Sequence, residues 1–254
     1  GLVLASATRL KGDATLATRA PALATALLRL SAARTVTNRD PRMELLRRLN
    51  EAADSATAVR LLPLVRDPDS EVAQLAAQVV SQRAHRPTTA ATTRYTPAPF
   101  PAEATLRALR GATATIRLRS LGAFEIALLP DDAPATVAAF AALAERGAFN
   151  GLTWHRIVPN FVLQGGSPGA DEYDGITTTF MRDETGFARH ARGTFGISTR
   201  GRDTGDGQLF INLVDNFRLD HDYTVFATMV RGFDVMDRVQ EGDVIESIVI
   251  HRRK

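Results

Sequence analysis

Aromatic residues and glycines are confined to one part of this chain, and that segregation excludes a single mixed core. Residues 1–94 hold no Phe, Trp or Tyr and only two glycines, whereas residues 111–254 hold 14 of the 16 aromatics and 16 of the 18 glycines. A core without aromatics must be built from Ala, Leu and Val, which suits closely packed helices, while aromatic and glycine-rich sequence suits short strands joined by tight turns. Two unlike domains are therefore expected. Charge divides along the same line. Residues 1–110 carry 16 basic and 9 acidic side chains (+7), and residues 111–254 carry 15 and 19 (−4). The net +3 of the whole chain is a difference between two surfaces, so it does not argue for nucleic-acid binding by the entire protein.

Several function classes are excluded at once. The absence of cysteine removes disulfides, a thiolate nucleophile and Cys-type zinc sites, and leaves the compartment unreadable from redox chemistry. No apolar run approaches the roughly 18 residues a membrane span needs. The chain opens Gly1-Leu2-Val3 without methionine, which suggests a trimmed start with any targeting signal out of view. Of the 31 basic residues only Lys11 and Lys254 are lysines, a bias that with abundant Ala suggests a GC-rich bacterial genome. The expected location leans to an extracytoplasmic compartment of a bacterium.

Ala58, Leu61, Leu62 and Val65 fall at the i, i+3, i+4, i+7 spacing of one helix face, and Val72, Leu75, Ala76 and Val79 repeat it. Between them Pro68 disfavours helix in Asp67, and Asp69 is placed to cap the next helix. A helical hairpin is expected here. Asp40 and Pro41 supply a cap and first-turn pair for another helix carrying Leu45, Leu46, Leu49 and Ala52, and residues 14–33 read as one more. The run "LLPLVRDPDSEVAQLAAQVV" (61–80) resembles a HEAT-type repeat, whose stacked units need neighbours to bury their faces. Residues 1–86 hold room for about two hairpins against the usual three or more. The helices are thus expected to pack on the C-terminal domain or to belong to a longer array. Their functional reading is a platform for a protein partner; the alternative is a plain packing appendage. Without aromatics there is no stacking surface for single-stranded nucleic acid, so no nucleic-acid partner is expected.

Residues 85–101, "HRPTTAATTRYTPAPFP", hold four prolines and five threonines without helical period, which marks a linker that Tyr95 and Phe100 could pin to a domain. With a short helix near 102–110, residues 87–110 are assigned to this connection. Beyond it, strands are expected over 114–118 and 123–129 around the turn Ser120-Leu121-Gly122. Further strands are expected over 153–158, 161–164, 193–198, 208–213, 225–231 and 244–251. A helix begins at Pro134, buries Val137, Phe140, Ala141 and Ala144 and stops at Gly147, and a second helical stretch covers 235–240. Many short strands with two helices argue for a closed or nearly closed barrel whose ends the helices cover.

Three blocks, "FNGLTWHRIVPNFVLQGG" (149–166), "GTFGISTRGRDTGDGQLFIN" (193–212) and "LDHDYTVFATMVRGFDVMDRV" (219–239), resemble the signature segments of the cyclophilin family of peptidyl-prolyl cis-trans isomerases, in the same order and at similar spacing. The resemblance spans about 111–254. It implies an eight-stranded antiparallel β-barrel capped by two helices, acting on X-Pro bonds in unfolded or extended segments without a cofactor or metal. By resemblance Arg156 is the catalytic residue. Phe161, Val162, Phe210 and Leu219 wall the proline pocket, with Tyr223 beside them. Gln164 and Gln208 hydrogen-bond the substrate backbone or Arg156, and Thr199 and Arg200 lie along the segment that the peptide follows. A rival reading keeps the pocket but makes the protein a proline-peptide-binding scaffold with incidental turnover.

Well-known members carry asparagine, alanine, tryptophan and histidine where this chain has Thr199, Arg200, Arg218 and Tyr223. Arg218 in place of an indole bears on sensitivity to cyclosporin-type inhibitors, and bulky Arg200 is expected to narrow the groove or favour acidic residues near the proline. His155 should point away from Arg156 by strand alternation and read as structural. The acidic clusters Asp203 and Asp206, and Asp171, Glu172 and Asp174, lack the ligand count of an EF-hand and read as surface turns.

Overall fold

The computed structural model describes residues 2–33, 35–91 and 99–253, and Tyr95 lies outside them. The chain divides into two compact units, Gly1–Ala98 and Pro99–Lys254.

The first unit is helical: α1 (Leu2–Arg9), α2 (Leu16–Ala32), α3 (Arg39–Ala52), α4 (Ser55–Val59), a 3-10 turn (Leu62–Arg66) and α5 (Ser70–Arg83). Its core is the aliphatic one anticipated, with Leu27, Leu45, Leu46, Leu49, Leu61 and Val79 buried against one another. The stripe at 58–65 does not form one helix. Pro63 cannot donate a backbone bond and its ring would clash with the Val59 carbonyl, so α4 stops at Val59 and the chain tightens into the 3-10 turn, burying Leu64 in preference to Val65. Asp69 caps α5 as expected, accepting from the Glu71 N–H at 3.0 Å. Asp40 is no cap: the 3-10 turn Val36–Asn38 runs straight into α3, leaving Asp40 within its first turn. The Asp67-Pro68-Asp69 turn is tied to α3 by Arg42. Its Nη1 bonds both Asp67 oxygens at 2.9 and 2.8 Å, and Arg39 Nε holds Asp69 at 2.7 Å.

The second unit begins with α6 (Glu103–Leu109), which belongs here and not to the connecting segment, because Leu106 and Leu109 are buried and Leu109 joins the barrel core. Phe100 pins nothing; it is 68% exposed. There follow β1 (Thr113–Leu118), β2 (Gly122–Leu128), α7 (Pro134–Glu145), β3 (Thr153–Val158), β4 (Val162–Ser167), β5 (Thr194–Ile197), β6 (Leu209–Asn212), β7 (Val225–Arg231), α8 (Phe233–Met236) and β8 (Ile245–His251). The eight strands form one antiparallel sheet in the order β3-β4-β6-β5-β7-β2-β1-β8. Its edges meet where Thr153 bridges Val244, with Trp154 N–H donating to Asp243 at 2.9 Å and Ile245 N–H to Leu152 at 2.8 Å. The sheet therefore curls into a barrel around Phe124, Trp154, Phe195 and Phe226, with α7 packed on β7 and β8 and α8 on β2. The second helix starts earlier and is shorter than expected. Gly232, at φ 86°, makes the turn into it where a Cβ would sit 2.8 Å from the Ala123 carbonyl. Among the described residues no helix is long and apolar enough to cross a membrane.

Candidate active site

The site is built on the β3–β4 hairpin. Trp154 pairs with Gly165 and Arg156 with Gln164, so His155 is an extra residue on β3 and the strict alternation expected across it is broken. The bulge lets Trp154 fill the core while Arg156 turns to the cleft beside its cross-strand partner Gln164. His155 does not line the cleft, and burial pushes its imidazole below its ordinary pKa.

The cleft encloses about 250 Å³. Its apolar side is Phe161, Val162, Phe210 and Leu219, with Tyr223 packed edge-on to Phe210 at a centroid distance of 6.0 Å. Phe210 is fixed from behind by the His190 ring, stacked at 5.9 Å, and by Gly196, where a Cβ would meet Phe210 Cζ at 2.2 Å. The His190 imidazole is held below its usual range by burial, against the pull of Asp220. Arg218 lies over Phe161, its guanidinium carbon 4.5 Å from the ring centroid.

The polar side is a connected network. Arg156 Nη1 donates to Gln164 Oε1 at 3.2 Å, and Gln164 Nε2 donates to Ser198 Oγ at 2.8 Å and Gln208 Oε1 at 3.2 Å. Gln208 in turn donates to Asp206 Oδ2 at 3.1 Å and to the Asp174 carbonyl at 3.3 Å. Gln208, 1% exposed, does not line the cleft; it stands behind Gln164 and accepts from its amide. Thr199 and Arg200 do line the cleft, but Arg200 Nη1 is engaged by Asp206 Oδ2 at 3.2 Å and by the Glu172 carbonyl. The charge that was expected to draw acidic substrate residues thus has an internal carboxylate.

Three residues of this network were not assigned to the site from sequence. Asp206, read as a surface turn, is buried, and burial pushes its carboxyl up against the opposing pull of the Gln208 N–H and Arg200. The Asp206-x-Gln208 spacing, which closes an Asx-type turn at 3.1 Å, was the available signal. Ser198 follows β5 and carries no signature of its own. Glu172, also read as a turn, reaches into the cleft and pairs with Arg156 Nε at 2.5 Å. Nothing in "DEYD" marks that role. Among the described residues no group of three or more His, Asp or Glu side chains is arranged to hold a metal ion.

Residues 113–253 match the family described as cyclophilin type peptidyl-prolyl cis-trans isomerase/CLD. The chain belongs to the cyclophilin family. A peptidyl-prolyl cis-trans isomerase of Helicobacter pylori is 38% identical over 144 residues, covering 54% of this chain and 86% of that protein. Peptidyl-prolyl cis-trans isomerase B of Bacillus subtilis is 35% identical over 125 residues, 49% of this chain and 87% of the relative. Among solved structures, a cyclophilin-type isomerase from Cryptosporidium parvum superposes with a TM-score of 0.52 at 21% identity, covering 56% of this chain and 98% of that one. A structure of the same protein in the presence of the dipeptide Ala-Pro superposes with a TM-score of 0.51 at 22% identity, covering 56% and 99%. These neighbours share the eight-stranded barrel, and the family match makes this chain a cyclophilin-type peptidyl-prolyl cis-trans isomerase whose isomerase domain is the second unit.

Proposed function

We propose that the cleft speeds X-Pro rotation in extended segments of client proteins, with Arg156 as the catalytic donor. The observation that supports it is a guanidinium held at the polar edge of an apolar cleft. Peptide bond rotation faces a barrier of about 18–20 kcal/mol, and X-Pro bonds interconvert uncatalysed in tens to hundreds of seconds. No bond breaks during rotation. Twisting the amide removes its resonance, so the prolyl nitrogen regains a lone pair and the amide loses its planar charge distribution. A fixed cationic donor beside it favours the twisted state over both planar ground states, which is where binding energy accelerates a reaction. Phe161, Val162 and Phe210 hold the ring, and Gln164, oriented by Ser198 and Gln208, stands beside the guanidinium to bond the flanking backbone.

One preorganised donor contributes about 2.7–4 kcal/mol, or two to three decades of rate. Arg156→Ala is therefore expected to lower kcat/KM about 100- to 1,000-fold on a Pro-containing tetrapeptide in a protease-coupled assay. Equal rates in the two proteins would overturn the assignment. Because arginine remains protonated, the rate is expected to be flat with pH near neutrality. The balance of 14 basic and 8 acidic side chains over residues 1–98 (+6) supports a further role for the first unit as a contact platform for a protein partner. Removing residues 1–98 is then expected to slow turnover on a proline-limited refolding protein while sparing a short peptide. Equal losses on both substrates would refute the platform.

A further inference from the structure

Resting on Arg156 as the donor, we propose that Glu172 is a positioning residue for this isomerase, fixing the guanidinium from a loop that Arg200 tethers. Glu172 Oε1 accepts from Arg156 Nε at 2.5 Å, and the two side chains are 43% and 39% exposed. A long arginine side chain that must be ordered for each turnover loses rotamer freedom in doing so; a carboxylate already on Nε imposes that order beforehand.

The carboxylate can do this because its backbone is anchored from several sides. Arg200 Nη1 donates to the Glu172 carbonyl and is itself held by Asp206. On the same loop Asp171 Oδ1 accepts from the Tyr173 N–H at 2.8 Å and from the Asp174 N–H at 3.2 Å, and Ser167 Oγ donates to the Asp174 carbonyl at 2.9 Å. Asp206, Arg200, Glu172 and Arg156 thus form a chain of contacts from the buried wall to the reacting edge.

The geometry distinguishes positioning from blockage. Guanidinium carries five N–H donors. Glu172 occupies Nε and Gln164 one hydrogen of Nη1. The second Nη1 hydrogen and both on Nη2 are bonded to neither residue, so a peptide can be engaged without displacing Glu172. Arg200 acts here as the tether of the loop, a role distinct from its place on the cleft wall.

The test is steady-state kinetics of Glu172→Ala, Glu172→Gln and Arg156→Ala, and of the double variant Arg156→Ala with Glu172→Ala, in the full chain. Glu172→Ala is expected to lower kcat about three- to tenfold with KM unchanged and thermal stability unaltered. Glu172→Gln, whose amide oxygen can still accept from Nε, should recover most of the loss. In the Arg156→Ala background the Glu172→Ala effect should vanish, since the residue acts through the arginine. A Glu172→Ala enzyme as fast as wild type, or faster, overturns the proposal while leaving Arg156 in place, provided Arg156→Ala is inactive. An Arg156→Ala enzyme with full activity overturns both.

Discussion

Arg42 and Arg156 belong to different units and use the same side chain in opposite ways. Arg42 is fully buried: Nη1 grips both oxygens of Asp67, Nε donates to the Asn38 carbonyl at 3.3 Å, and Nη2 lies 3.8 Å from Asp69. It stitches α3 to the turn before α5. Arg156 has one carboxylate and one amide, and it faces a cleft. A guanidinium enclosed by its partners is scaffold, whereas one that is fixed but still open to a cleft can act on a substrate.

The comparison breaks most visibly at Arg42. Arg42→Ala leaves Asp67 and Asp69 without their buried cation and is expected to destabilise the helical unit by about 3–5 kcal/mol. Calorimetry should show this as a loss confined to one transition, with kcat/KM on a short peptide unchanged; a parallel loss of activity would mean that the two arginines are not separable. Gly196→Ala comes next. Its Cβ would lie 2.2 Å from Phe210 Cζ, so the ring must move, at about 1–3 kcal/mol of stability and with a raised KM. An unchanged KM would remove Phe210 from the proposed proline pocket.

The pH dependence of stability is a smaller effect. Against a desolvation penalty, the His190 N–H, Arg189 and the His190 ring hold the Asp220 carboxyl down at about 2. Its unfolded value is 3.8, so the unfolded chain binds more protons between these values, and this contribution to stability is lost as pH falls from about 4 to about 2. Burial lowers the His190 imidazole as well, so its contribution has the same sign and begins to fall below about pH 6.5. Asp206, pushed up by burial, has the opposite sign. The readout is therefore the difference between wild type and Asp220→Asn in chemical denaturation at several pH values. Identical profiles would show that Asp220 is not bound as described. The smallest effect is expected at Phe187, 96% exposed, where Ser should change stability by no more than about 0.5 kcal/mol.

The barrel and the apolar half of the site were legible because both write themselves in alternation and in local blocks. Arg156, Phe161, Val162 and Gln164 come from one hairpin, and Phe210 from a strand in register with it. Gln208 was misplaced by one layer, since a strand pattern gives the face of a residue but not which glutamine stands in front. The loop that delivers Glu172 has neither period nor apolar anchor, and its position depends on Arg200 and Gln208, which donate to the Glu172 and Asp174 carbonyls from 28 and 34 residues further along the chain. In the helical unit the apolar stripe gave the buried face, while Pro63 decided that the backbone beneath it is a broken helix.

In the proposed mechanism Arg156 acts on the twisted amide, and the cleft alone only binds. NMR exchange spectroscopy on a saturating Ala-Pro peptide, with the full chain as wild type and as Arg156→Ala, separates the two. The variant is expected still to bind the peptide within a few-fold of the wild-type Kd while its cis-trans exchange rate falls about 100- to 1,000-fold. An unchanged exchange rate in the Arg156→Ala variant, with the peptide bound, would contradict it.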